Sequence, residues 1–127
     1  EAAGRVWIHN DSCEEYGADA TGCKVKESGC SRDPNLASRL TACLSDRYAG
    51  ATGMPFHAGS ITVDMTEYHA FDEVDAATTA AIIETGFLRL DYDILTQHPD
   101  LVAEGIVDGI LCYVNVESVD PTPMPTP

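Results

Sequence analysis

A chain of 127 residues with net charge −14 is one domain's worth of polypeptide, and its field repels phosphate backbones and anionic lipid, so no nucleic-acid partner is expected and membrane surfaces are disfavoured. Its apolar content of 44% is ordinary for a folded protein, and no run of about 18 apolar residues is there to enter a bilayer. The acidity is uneven: residues 1–60 hold eight acidic and six basic side chains, whereas residues 61–127 hold 13 acidic ones and Arg89 alone.

The chain begins at Glu1 without an initiator methionine, which reads as a processed or excised product. Arg5 to His9 is rich in β-branched and aromatic residues and predicts a strand. If that strand lies at a sheet edge, Trp7 is an anchor for a partner or a sugar. Asn10-Asp11-Ser12 is an N-glycosylation triplet at Asn10. Cys13, Cys23 and Cys30 follow in a polar loop broken by glycines, which has too little apolar surface to order itself without cross-links. With Cys43 these make four of the five cysteines, a count that fits an oxidising, extracellular compartment. Chain proximity predicts Cys13–Cys23 and Cys30–Cys43, leaving Cys112 as a free or intermolecular thiol.

Asp33-Pro34 predicts a helix over 34–48, capped by Asp33, with Leu36, Leu40, Cys43 and Leu44 on its inner face and Arg39 outside. Ile61 to Thr66 alternates as a strand. Asp72 caps a second expected helix over 73–85 that ends at Gly86, and Phe87 to Leu95 returns to period two. Asp108-Gly109 is a hairpin-type pair ahead of a strand over 110–116. Residues 1–118 then make a single globular extracellular domain, and 119–127 a Pro/Thr-rich tail or linker. The fold expected is α+β, a mainly antiparallel sheet of four or five strands with two helices on one face and a disulfide-stapled N-terminal loop, since parallel strands would read as unbroken apolar runs. An all-β sandwich is the alternative.

For chemistry, Glu67, His69 and Asp72 group an imidazole with carboxylates, and Asp91 and Asp93 share one side of a predicted strand; these are the metal candidates. No cofactor is expected; the first group is weighed as a transition-metal site and the aspartate pair as a calcium one, with a surface role the more frequent outcome for such residues. A Cys–His pair is arithmetically available, for example Cys112 with His69 or His98, but an inward cysteine on a core strand is usually inert. No catalytic residue is assigned. The reading reached is a secreted, non-catalytic structural or interaction module, with itself, another extracellular protein or a glycan as partner. Lys24 and Lys26 would meet the acidic half of the next copy in a head-to-tail filament or layer. A secreted toxin or effector and a small secreted hydrolase are the alternatives.

Overall fold

The structure, a computed structural model, describes residues 4–11 and 21–119. Strand β1 (Arg5–Asp11) is followed by β2 (Lys24–Glu27), helix α1 (Pro34–Thr52), two 3-10 turns (Ala58–Ser60 and Val63–Glu67), the short α2 (His69–Asp72), strand β3 (Ala80–Phe87), and helices α3 (Tyr92–Gln97) and α4 (Pro99–Val114). The sheet has three strands in the order β1-β3-β2, with β3 parallel to β1 and antiparallel to β2.

Helix α1 forms as its sequence dictates. Asp33 Oδ1 accepts hydrogen bonds from the backbone N–H groups of Asn35 (3.0 Å) and Leu36 (3.2 Å), and Pro34 occupies the first turn. Leu40, Cys43 and Leu44 are buried, while Leu36 is 40% exposed. The helix outruns residue 48 and stops at Gly53, whose φ of 70° is a left-handed cap that favours glycine.

Helix α4 occupies the stretch expected to carry a hairpin and a strand. Pro99 opens it, and Gly105 and Gly109 stand one helical turn apart on the face that meets α1. A Cβ on Gly105 would come within 2.8 Å of Tyr48 Cα, and one on Gly109 within 2.8 Å of Leu44 Cα. Asp108-Gly109 is therefore a close-approach site between helices and not a turn. The alternation Ile110, Cys112, Val114, Val116 is not a buried face either: Cys112 is fully buried, while Val114 and Val116 are 55% and 72% exposed.

The same contact closes the disulfide. Cys43 bonds Cys112, joining α1 to α4 across 69 residues of chain. This corrects both expected cysteine assignments, Cys30–Cys43 and an unpaired Cys112. Cys23 is a buried free thiol and Cys30 an exposed one; Cys13 lies outside the described residues. Chain proximity misled because helix packing brings distant cysteines together.

The sheet corrects the fold class. Two of its three strands run parallel, and both of its faces are covered. Val6, Val25, Ala81 and Ile83 pack with Leu40, Leu44 and Tyr48 of α1 and Ile106 of α4. On the opposite face Trp7, Ala80 and Ile82 pack with Met65, Phe71 and Ile61. β3 is buried along its whole length, and apart from Glu84 and Thr85 it is the apolar run that a central strand covered on both faces requires. Residues 80–85 of it lie in the stretch 73–85 expected to be the second helix, where sheet burial of Ala81 and Ile82 overrides local preference, and residues 73–79 ahead of it form no helix. The predicted strand over 61–66 is the second 3-10 turn, and that over 87–95 is a turn leading into α3.

Candidate functional site

In a strand, alternate side chains share a face. In β1 this places Trp7, His9 and Asp11 together, and register brings His9 opposite Glu84 of β3 and Glu84 opposite Lys24 of β2. One row across all three strands thus carries an imidazole, a carboxylate and an ammonium. A register shift between His9 and Asp11 bends the end of β1, as bulges do, and Asp11 joins the row. The cluster lies toward the carboxyl ends of the two parallel strands, the end at which open α/β sheets place their ligands.

His9 Nδ1 is 2.8 Å from Glu84 Oε2 and 3.0 Å from Oε1. The pair is asymmetric: the imidazole side chain is 66% exposed and the carboxylate 4%. Burial raises the Glu84 pKa above the ordinary glutamate range, and the opposing hydrogen bond from His9 does not cancel it. On the far side, Lys24 Nζ lies 2.5 Å from Asp11 Oδ2. The Thr85 hydroxyl, on the next residue of β3, donates to the His9 carbonyl (3.1 Å) and to Asn10 Oδ1. Tyr48 from α1 donates to the Thr85 carbonyl at 2.7 Å. β1, β3 and α1 are thereby tied together directly beneath the row. A buried carboxylate bonded to an exposed imidazole is the arrangement of a proton-handling pair.

The residues chosen from sequence are placed elsewhere or differently. His69 is 86% exposed, 3.8 Å from Asp72 and from Glu73, and Glu67 stands apart on an exposed turn. Asp91 is buried and accepts hydrogen bonds from the backbone N–H groups of Gly22 (2.9 Å) and Phe87 (2.8 Å) and from the Thr21 hydroxyl; Asp93 is exposed in α3. Among the described residues no group of three or more His, Cys, Asp or Glu side chains is arranged to hold a metal ion. Trp7 is half-buried, edge-on to Phe71 at 5.4 Å, and so anchors the core of an edge strand instead of offering itself to a partner. Lys24 is buried and Lys26 is paired with Glu27 at 3.0 Å, so neither forms a free basic patch. Asn10 is exposed, with its amide oxygen turned to Thr85. Cys112 is in the disulfide and not a nucleophile.

His9 and Glu84 were missed. The available signal was a single acidic residue inside the apolar run Ala80 to Phe87: a lone carboxylate in a central strand is costly to bury and is kept for a reason.

No family model matches the chain and no curated protein does. Solved structures do. An N-acetylmuramoyl-L-alanine amidase from Clostridium difficile 630 superposes with a TM-score of 0.69 at 22% identity, over 92% of this chain and 60% of its own. The fold is that of the amidases. The CwlD amidase from Clostridioides difficile, solved in complex with the GerS lipoprotein, matches with a TM-score of 0.65 at 19% identity, over 91% of this chain and 56% of its own. The catalytic domain of CwlV, an N-acetylmuramoyl-L-alanine amidase from Bacillus (Paenibacillus) polymyxa var. colistinus, matches with a TM-score of 0.61 at 22% identity, over 91% and 60%. The chain thus spans 56–60% of the length of the amidase structures it matches. The amidase fold overturns the expected non-catalytic structural module and its filament: the architecture is one that carries hydrolases, and the small-hydrolase alternative fits it better. No helix among the described residues is long and apolar enough to cross a membrane.

Proposed function

We propose that this chain is the part of an amide hydrolase that handles the proton, acting on the amide between an N-acetylmuramoyl group and L-alanine. The observation that carries the reading is the His9–Glu84 pair at the carboxyl ends of two parallel strands in an amidase-like fold. Hydrolysis needs a water to add to the amide carbonyl carbon and lose a proton, and the amine nitrogen to gain one as the C–N bond breaks. Glu84 is the group that keeps that proton, because burial makes its carboxyl hold a proton more readily than an ordinary glutamate. His9 connects it to solvent: with Glu84 ionised, Nδ1–H donates to the carboxylate and fixes the ring, as a carboxylate does for histidine in acyl-transfer triads. The Cys43–Cys112 bridge supports action outside the cytoplasm, where disulfides persist.

The test is release of the L-alanine amino group from an N-acetylmuramoyl-L-alanyl peptide incubated with the full chain, followed by mass spectrometry. Glu84→Gln and His9→Ala should each lower the rate by about 10²–10⁴-fold with unchanged far-ultraviolet circular dichroism. No amine release from the unaltered chain, or undiminished release from Glu84→Gln, overturns the reading.

A further inference from the structure

Lysine is almost never fully buried without a partner, and Lys24 shows only 4% of its side chain to solvent. Its ammonium lies 2.5 Å from Asp11 Oδ2, on a side chain itself 14% exposed, and donates to the Ser60 carbonyl at 2.9 Å. The Phe87 ring centroid is 5.7 Å away. In the sheet Lys24 stands across from Glu84, and Glu84 across from His9.

We infer that Lys24 is a positioning residue of the His9–Glu84 site: its buried ammonium holds the Asp11 carboxylate beside Glu84 and places in the row a positive charge that favours the ionised form of Glu84. This rests on the reading of Glu84 as the proton-keeping group. The charged and titratable side chains that face the row are His9 and Asp11 from β1, Lys24 from β2 and Glu84 from β3. From the first 3-10 turn comes His57, whose Nδ1 is 2.8 Å from Ser60 Oγ and whose ring meets Phe87 edge-on at 5.2 Å. A carboxylate that shares a low-dielectric site with Glu84 raises its proton affinity, and a cation beside them opposes that. Burial is the main influence holding the Glu84 proton; Asp11 acts in the same direction, and His9 and Lys24 oppose it. Lys24 therefore acts on Glu84 both directly and by neutralising Asp11. A lysine with a merely structural role would change the stability of the fold and leave the proton affinity of Glu84 where it is.

Carboxyl-labelled glutamate in the full chain lets Glu84 be titrated by carbon-13 magnetic resonance, its signal being the one lost in Glu84→Gln. In Lys24→Met the ionised fraction of Glu84, at a fixed pH below its midpoint, should fall about tenfold. Lys24→Arg, which keeps the charge, should titrate like the unaltered chain. Lys24→Met/Asp11→Asn removes both charges at once, spares the fold an unpaired buried carboxylate, and should bring Glu84 back toward its original midpoint. The inference is overturned if Glu84 titrates unchanged in Lys24→Met, or if the double variant is as far displaced as the single one. Because the carboxyl is read directly, loss of this inference and loss of the amidase reading are separate results: the second is decided by amine release alone.

Discussion

Glu84 is 3% exposed in the middle of the central strand, where an ionised carboxylate is unfavourable unless it is bonded. Its pKa is raised, first by burial. A carboxyl whose folded pKa lies above its unfolded value contributes stability below the unfolded value, about 4.3 for glutamate, and loses that contribution as pH rises through the folded value. Glu84→Gln removes the loss. The variant should therefore match the unaltered chain in thermal melts at the acid end and be the more stable one at neutral pH, while the amine release proposed above falls by about 10²–10⁴-fold. On the proposed function, the acid limb of the rate profile should lie above the ordinary glutamate range, since the pair would have to be deprotonated to accept water's proton. A limb within that range would mean that burial does not control the group. Cys23 shows the opposite use of burial: its thiol is pushed up to about 12, which leaves it unreactive at neutral pH.

The two long helices carry the stability of the outer layer. Leu40 is 1% exposed between α1 and the sheet, and Leu40→Ala should cost about 2–5 kcal/mol in denaturant titrations. Arg39, expected from its position to be dispensable, is not on an idle face. It donates to the carbonyls of Cys112 (3.3 Å) and Tyr113 and lies 5.3 Å over the Tyr113 ring, so it satisfies the open C-terminal carbonyls of α4. Arg39→Ala should cost about 1–2 kcal/mol, and a change near zero would mean that solvent replaces it. The bridge between Cys43 and Cys112 closes a long stretch of chain, and its reduction should lower stability by about 2–4 kcal/mol. Unfolding that is insensitive to reductant would contradict a constraint on the unfolded chain.

Among the described residues both lysines and one arginine are held in ion pairs. Lys24 is paired with Asp11, Lys26 with Glu27, and Arg47 with Asp46 and Glu117. The two lysines of the near-neutral half are thus engaged within the chain and not held ready for the acidic half of another copy, and the net charge of −14 acts as self-repulsion. Added salt screens such repulsion over about 10 Å at 0.1 M. The melting temperature should rise by a few degrees between low salt and about 0.3 M sodium chloride. A fall would place the balance with the internal ion pairs, which salt weakens.

What the sequence determined by itself was local. Asp33-Pro34 and the spacing of Leu40, Cys43 and Leu44 set the start and inner face of α1, because capping and helical periodicity are short-range. Val6 and Trp7 set β1 for the same reason. Tertiary structure decided the rest. Whether Ala80 to Phe87 became a helix or a strand depended on burial between two layers, which no window of residues reports. The partner of Cys43 depended on two glycines letting α4 approach α1. The site itself was the least legible part: His9, Lys24 and Glu84 come from three strands, 15 to 75 residues apart in the chain, and only strand register sets them in one row.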